Sequence, residues 1–405
     1  MFNKLRTTLL CTFCIGTVHF AQAFQKEESI EKDSLDTQIE YTSRGFQFTA
    51  PDNKFQLQIG GRLQFRFATP NDQDPITFED FDPERKTVFK INRARLKVGG
   101  HTFQPWLKYY FEYELGASRL LDFRVMIEKW PWLNFKLGQW KTEYTRERVI
   151  SSGRQQMMER SIINRPFTLD RQQGISVYGH IQKSKIADFN YNLALLTGSG
   201  INNRENDDEN LMYVARVQWN FLGEAVPMVG SDLEDREDPL ASVALAGASN
   251  RSRYTRFSSS GGGSLFGFEE GEPGQYTINQ WLFETAFMYR SFSWHSEMHL
   301  KNIHDHVNQT FTRLRGGFWQ AGYVLNHESA TSKPLFEPAF RYAIFQPSIG
   351  FPQYAREEFA LALNCFFNEH ANKLTADVTY FEFEEGDLGD SLQSWRFRVQ
   401  YEVSF

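Results

Sequence analysis

After residue 23 the sequence has no run of about 18 apolar residues, the length that a transmembrane helix requires. It also has little cysteine: Cys11 and Cys14 lie within the first 23 residues, so Cys365 is left alone and no disulfide framework is possible within one mature chain. Helical periodicity is scarce, and residues 154–164 are the best short candidate for a helix. These features exclude a helical membrane protein and a disulfide-stabilised domain.

Aromatic residues, by contrast, are abundant. Hydrophobic residues make up 41% of the 405-residue chain, yet aromatic residues alone make up 16%, with 38 phenylalanines. Soluble enzymes normally carry their cores on Leu, Ala and Val. The composition therefore favours a protein whose apolar surface is a thin shell with aromatic girdles.

The first 23 residues have the pattern of a signal peptide. Lys4 and Arg6 give a positive start, and a short apolar core follows and ends in the small-x-small sequence AQA at 21–23. An exported protein without helical spans is periplasmic, secreted or an outer-membrane barrel. The polar residues 24–50 that come next are predicted to be a mobile or loosely helical periplasmic leader.

The stretch KFQLQIGGRLQFRFA, residues 54–68, alternates apolar and polar side chains, which predicts a strand with one face of each kind. Candidate strands of this kind continue to the end of the chain, and several are about 10–16 residues long, as a tilted span of a bilayer requires. There are sixteen candidates, at 55–68, 87–102, 106–116, 120–129, 132–142, 172–182, 187–198, 211–221, 240–250, 276–291, 292–303, 309–325, 336–349, 356–368, 373–384 and 393–405.

The connections between these strands alternate between short turns and long polar segments at 71–86, 142–170, 201–210 and 251–275, which is typical of outer-membrane barrels. The last strand, SWRFRVQYEVSF, is apolar on one face, and as an edge strand in a soluble protein it would promote aggregation. We therefore predict an all-β protein: a transmembrane antiparallel β-barrel of 16 strands over residues 51–405. Its apolar faces contact outer-membrane lipid. The terminal Phe405 resembles the signature of bacterial outer-membrane barrels, which implies recognition by the barrel-insertion machinery.

Cations recur on the predicted lumen faces of the strands, at Arg62, Arg66, Arg93, Arg95, Lys97, Lys136, Arg396 and Arg398. Unpaired guanidinium groups in a narrow water-filled lumen would raise the local concentration of anions. Acidic residues also fall on the lumen faces, at Glu112, Glu114, Asp122, Glu128, Glu284, Glu297 and Glu402. If cross-strand pairs neutralise the cations, the pore has only a weak preference for anions.

The connection at 142–170 is the second basic feature. Its cations, with the arginine that directly follows it, are Arg146, Arg148, Arg154, Arg160, Arg165 and Arg171, set against Glu143, Glu147, Glu159 and Asp170. A long loop at this position of a sixteen-strand barrel commonly folds inward and narrows the channel. The alternative is an ordinary external loop.

Three stretches carry a family resemblance: INRARLKVGG at 91–100, FKLGQWKTEY at 135–144, and QQMMERSIINRPFTLDRQQGISVYGHI at 155–181. They resemble the phosphate-selective porin O and P family of Gram-negative bacteria. The resemblance implies a sixteen-stranded barrel, usually a homotrimer, whose third loop and ladder of arginines guide phosphate-like anions. The chain departs from the family at Thr142-Glu143-Tyr144, where members often have Pro-Phe, and the carboxylates of Glu143 and Glu147 weaken a strict preference for phosphate.

The sequence does not support a metal site, a phosphate-binding loop or nucleic-acid binding. His295, Glu297 and His299 alternate along a strand, which places the two histidines about 13 Å apart, too far to share one metal ion unaided. The glycines at 198–200 and 261–263 have no phosphate-loop context, and an acidic, exported chain offers no nucleic-acid surface. We expect no catalytic residue, cofactor or metal.

The sequence thus predicts an outer-membrane porin that passes small anions, of the phosphate or polyphosphate type, without being an enzyme. A general or carbohydrate-passing porin of the same fold is the first alternative. A barrel enzyme or a surface adhesin is the alternative from another class.

Overall fold

The segments in which apolar and polar residues alternate form strands, as predicted. In the computed structural model, the described residues are 37–42, 45–72, 86–201, 203, 205–258, 261–326, 334–350, 354–385 and 390–405. The predicted signal peptide and most of the connection at 71–86 lie outside this set. The strands are β1 (Gln38–Thr42), β2 (Gly45–Thr49), β3 (Gln56–Thr69), β4 (Val88–Thr102), β5 (Gln104–Glu114), β6 (Arg119–Trp130), β7 (Leu133–Lys141), β8 (Arg171–Gln182), β9 (Asp188–Leu196), β10 (Met212–Trp219), β11 (Leu240–Ser252), β12 (Arg256–Ser258), β13 (Gly261–Gly263), β14 (Tyr276–Tyr289), β15 (Phe292–Asp305), β16 (Thr310–Tyr323), β17 (Leu335–Gln346), β18 (Arg356–Asn368), β19 (Asn372–Glu385) and β20 (Asp390–Ser404).

Strands β3–β11 and β14–β20 form a closed antiparallel barrel of sixteen strands. Each pairs with its neighbour in sequence, and β20 pairs with β3 to close the barrel, with Ser404 opposite Arg62 and Phe397 opposite Thr69. All sixteen predicted strands are confirmed, with shifts of a few residues at their ends.

The apolar faces of the strands point outward. On β3, the side chains of Leu63 and Phe65 are 50% and 45% exposed, whereas Arg62 and Arg66 point inward and are 5% and 2% exposed. This is the orientation of a membrane barrel, in which the polar face lines the interior. Among the described residues, no helix is long and apolar enough to cross a membrane.

The barrel has two rims, which we name by what they carry. The terminal rim carries the start of β3 and the end of β20, and the loop rim is the opposite end. Most connections at the terminal rim are tight, such as those at 131–132 and 290–291, but the connection at 220–239 is long. Short turns at one rim and longer loops at the other are typical of outer-membrane barrels.

Residues 38–42 and 45–49 differ from the mobile or loosely helical leader predicted for this region. They form the hairpin β1–β2, and β2 pairs with β3 at Gln56–Ile59, just beyond the point where β20 ends. The hairpin thus covers backbone groups of β3 that would otherwise form an open sheet edge. Phe405 follows, and it exchanges two backbone hydrogen bonds with Gly61, at 2.6 and 3.1 Å.

The helix expected over residues 154–164 was wrong. Short helices flank this segment instead, at Arg146–Val149 and Asn164–Phe167, with a 3-10 turn at Ser152–Arg154. Part of the backbone of the segment bonds the barrel wall: the carbonyls of Gln155 and Gln156 accept from Lys373 and Asn364 at 2.9 and 2.8 Å. Tertiary contacts therefore override the local periodicity.

We predict that Gly45→Ala detaches the N-terminal hairpin. Gly45 has φ +109°, and a Cβ there would lie 2.2 Å from the carbonyl oxygen of Ile59. Strain of this kind costs about 1–3 kcal/mol, which is enough to expose residues 38–49 to limited proteolysis while the barrel itself stays folded. Gly247→Ala is the control, because its nearest neighbouring atom is 3.9 Å away. Unchanged protection of the hairpin would contradict the prediction.

Candidate functional site

The connection at 142–170, which we call the inward loop, lies inside the barrel as predicted. It leaves the end of β7 at Lys141 and returns to the start of β8 at Arg171, which are paired neighbours. Its side chains are largely buried, and those of Ile163 and Phe167 are fully so. The barrel wall and the loop together therefore build the site.

Two wall carboxylates hold the first helix of the inward loop. Glu284 on β14 and Glu297 on β15 lie directly opposite each other. They accept the backbone N–H groups of Arg146 and Glu147 at 3.1 and 2.7 Å. These donors belong to the first turn of the helix, whose N–H groups have no partner within the helix and favour negative charge. Thr145 caps the helix by accepting the N–H of Arg148 at 3.0 Å.

The row of His295, Glu297 and His299 takes part in this docking. Each histidine places Nε2 3.1 Å from a different oxygen of Glu297. Glu284, His295 and Glu297 have ligand-type atoms within 4.8 Å of one another, but Glu284 also accepts from Arg216 at 2.7 Å. Since these carboxylate oxygens already accept protein donors, the residues fit a docking role better than a metal site.

A third wall carboxylate holds the second half of the loop. Glu358 on β18 accepts the N–H of Ile162 at 2.8 Å and the Nε–H of Arg341 at 2.7 Å. Beside this contact, Ile162, Ile163 and Phe167 pack into an apolar cluster with wall residues Leu314, Phe318, Phe345 and Phe381. Phe257 and Leu265, from the connection after β11, complete the cluster. This side of the lumen is filled.

The long connection at 220–239 reaches the inward loop from the terminal rim. Arg146 donates to the carbonyls of Val226, at 3.2 Å, and Pro227. Gly230 donates its N–H to the carbonyl of Arg154 at 2.8 Å. Two connections from opposite rims thus meet inside the barrel.

Most of the predicted wall cations are paired with carboxylates. Arg62 lies 3.3 Å from Glu402, Arg66 2.6 Å from Glu159, and Arg93 2.9 Å from Glu159. Arg95 donates to Glu112 and Glu114 at 2.8 and 2.6 Å, and Arg398 to Asp377 at 2.5 Å. Lys136 contacts Glu143, Arg396 lies over the ring of Phe381, and Lys97 forms no ion pair within the described residues. The structure therefore brings the lumen acids and cations together.

The predicted cations of the inward loop fall into different environments. Arg148 donates to Asp170 at 2.5 Å, and Arg146 is buried against carbonyls, as described above. Arg160 donates to the carbonyls of Glu147, Arg148 and Ile150. Burial and the neighbouring guanidinium groups of Arg148 and Arg93 lower the pKa of Arg160 well below its ordinary value. Arg154 is half-buried, and Arg165 is exposed.

A polar cavity of about 350 Å³, which we call the mouth cavity, lies between the inward loop and strands β4–β8 at the loop rim. Among the residues that the structure describes, its charged lining is one-sided: Glu114 is the one lining carboxylate, against the cations Lys90, Arg93, Arg95, Arg119, Lys141, Arg148, Arg160 and Arg171. Of these, Arg119, Lys141 and Arg160 form no ion pair with any residue that the structure describes. Nitrogen atoms of Arg119 and Arg171 are buried without a hydrogen-bond partner. The cavity can therefore attract and bind oxyanions.

Three cations that line the mouth cavity were not among the cations singled out from the sequence: Lys90, Arg119 and Lys141. Arg119 follows the tight turn at 115–118, Lys90 lies near the start of β4, and Lys141 ends β7 where the inward loop begins. Two β-bulges also shape the site, since an extra residue in one strand turns Asn92 and Leu121 toward the lumen beside Arg93 and Asp122. Strict alternation could not predict the bulges, whereas cations at strand ends beside a long basic loop were visible in the sequence.

Comparison with known proteins supports a channel. The family model described as phosphate-selective porin O and P matches residues 57–401, and no curated protein matches the sequence. Among solved structures, an anion-selective porin from Comamonas acidovorans is 9% identical, with a TM-score of 0.53, over 86% of this chain and 99% of that one. The outer-membrane channel DcaP of Acinetobacter baumannii is 10% identical (TM-score 0.54; 87% and 98% covered). OprB of Pseudomonas putida is 9% identical (TM-score 0.55; 86% and 94% covered). At these identities the likeness shows a shared fold.

Replacing Glu358 by Gln should loosen the inward loop. The change leaves the buried Arg341 without its carboxylate, and breaking a buried ion pair in this way costs about 3–5 kcal/mol. We expect larger and noisier single-channel currents in planar bilayers. Glu357→Gln is the matched control, because Glu357 lies on the outward face and bonds Tyr342 at 3.0 Å. Equal currents from the two variants would refute the docking role of Glu358.

Docking of the inward loop should weaken as the pH rises. Burial raises the pKa of Glu147 from its ordinary value of 4.5 to about 8; Arg341 opposes the rise, and Glu297 adds to it. Between pH 4.5 and 8, the Glu147 carboxyl group is therefore protonated while the loop is docked and deprotonated when the loop is released. The stabilisation from this proton is complete below pH 4.5 and is lost as the pH rises through about 8.

Hydrogen exchange, corrected for the intrinsic pH dependence, measures this effect at the Ser161 amide, which donates to Glu147 at 2.6 Å. We expect its protection to fall across this range in the unmodified protein. In Glu147→Gln, protection should not vary with pH, and an unchanged pH dependence in this variant would assign the effect to another group.

Proposed function

The chain belongs to the phosphate-selective porin O and P family, and we propose that it is a passive outer-membrane channel for small oxyanions of the phosphate type. The one observation that carries the proposal is the lining of the mouth cavity, to which the described part of the chain contributes eight cations and a single carboxylate. Such a lining raises the local anion concentration at the channel entrance. The family and the barrel fold both support a location in the Gram-negative outer membrane.

The proposed passage follows the basic side of the lumen. An anion enters the mouth cavity, exchanges part of its hydration for guanidinium and ammonium donors, and moves past the inward loop toward Arg62 and Lys97. Most of these donors are shared with carboxylates, so each contact is weak enough for release. Weak, multiple sites are what conduction requires.

A general porin is the second candidate, and the ion pairs support it. Beside the inward loop, Arg62, Arg341 and Arg398 each contact a carboxylate. If these pairs neutralise the narrow part of the passage, a carbohydrate or other neutral solute passes as readily as an anion. The two candidates differ in the sign and size of their ion selectivity.

A homotrimer is the proposed assembly. It rests on the resemblance to the family. Light scattering of the detergent-solubilised protein, with the detergent mass subtracted, tests it directly. A mass of one chain would reject the trimer without affecting the proposal on ion selectivity.

The proposed selectivity predicts an anion-selective reversal potential in planar bilayers under a KCl gradient. Lys141→Glu should lower the chloride-to-potassium permeability ratio several-fold, because it places a carboxylate among Arg148, Arg160 and Arg171. Lys54→Glu, at an exposed position next to the terminal rim, is the control and should leave the ratio unchanged. A wild-type channel with no preference, or a preference for cations, would reject the proposal in favour of a general porin.

A further inference from the structure

Cations without a carboxylate partner cluster at the mouth cavity, whereas several cations deeper in the lumen are paired. Beside the inward loop, the pairs Arg62–Glu402 and Arg398–Asp377 are buried and compensated. In the mouth cavity, Arg119, Lys141 and Arg160 are cations without a carboxylate partner among the described residues. The cavity therefore offers an anion several cations whose charge is not compensated, and the size of the space and the nature of its lining decide which anion fits.

The size of the mouth cavity exceeds what an orthophosphate ion needs. At about 350 Å³ it falls in the range of roughly 300–1,000 Å³ that is typical of sites for organic ligands. An ion with four oxygen atoms can contact only part of such a lining at one time. An anion with an additional neutral body can contact more of it.

The uncharged part of the lining fits such a body. Asn92 and Ser152 offer neutral polar groups, and Leu121, which is 2% exposed, offers an apolar contact next to them. A sugar ring has both kinds of surface, with hydroxyl groups at its edge and C–H groups on its face. The β-bulges described above are what bring Asn92 and Leu121 to the cavity.

We infer that the mouth cavity binds a phosphorylated sugar, or an organic anion of that size and chemistry, in preference to free orthophosphate. The inference rests on the proposed function. The phosphate group meets Arg119, Lys141 and Arg160, and the ring contacts Asn92, Ser152 and Leu121. Because every wall residue of the cavity lies near the loop rim, the ligand binds from that side of the barrel.

The test is block of the KCl current through single channels by glucose 6-phosphate, orthophosphate and glucose, each added to one side at neutral pH and constant ionic strength. One or two additional neutral hydrogen bonds should lower the half-blocking concentration of glucose 6-phosphate about tenfold relative to orthophosphate. Glucose should not block. Block should require less ligand on the loop-rim side than on the terminal-rim side.

Variants separate the two parts of the site. Arg119→Gln should raise the half-blocking concentrations of both phosphates by about tenfold, since it removes a charge-assisted contact. Ser152→Ala should raise that of glucose 6-phosphate only, and Lys54→Gln should change neither. Heat-modifiable mobility in gels confirms that each variant is folded, and the sidedness of block in the unmodified protein decides the question if Arg119→Gln does not fold.

Each opposing result has its own meaning. Orthophosphate that blocks at an equal or lower concentration than glucose 6-phosphate would overturn the inferred ligand class. Glucose that blocks as well as glucose 6-phosphate, or half-blocking concentrations that Arg119→Gln leaves unchanged, would overturn the site itself. A channel without anion preference in the reversal-potential measurement would instead reject the proposed function on which the inference rests.

Discussion

The structure of the lumen depends on wall carboxylates that accept backbone N–H groups of the inward loop. A buried carboxylate is costly unless donors surround it. Glu284 and Glu297 are adjacent on neighbouring strands, and they are satisfied by the loop, by Arg216 and by two histidines. Glu358 likewise accepts hydrogen bonds, from Ile162 of the loop and from Arg341 of the wall. Without these contacts, the loop and the acids of the wall would each leave buried groups without partners.

This docking divides the lumen into two unlike halves. On one side, apolar residues of the loop pack against β14–β19, and the connection at 220–239 extends inward from the terminal rim to contact the loop. On the other side, the basic faces of β4–β8 border the mouth cavity. The inward loop thus separates a filled, largely apolar side of the lumen from a basic side that contains the mouth cavity.

Much of the fold could be predicted because the alternation of side chains reports directly on strands. The direction of β3 was also predictable, since Arg62 and Arg66 share one face and Leu63 and Phe65 share the other. The hairpin at 38–49 and the connection at 220–239 were not, because their positions depend on long-range pairing. The spacing of His295, Glu297 and His299 differs from the helical zinc motif in the sequence, but the role of this row in docking required the coordinates of the loop.

The sequence by itself determined the barrel, its strand number, the orientation of its faces and the long basic loop, because each follows from a local pattern with a period of two residues or from its interruption. The tertiary structure decided which charges are compensated. Arg93 and Arg119 are equally basic in the sequence, but Glu159 reaches only the first of them. Electrostatic energy depends on distances of a few ångströms between residues far apart in the chain, and only the folded barrel sets those distances.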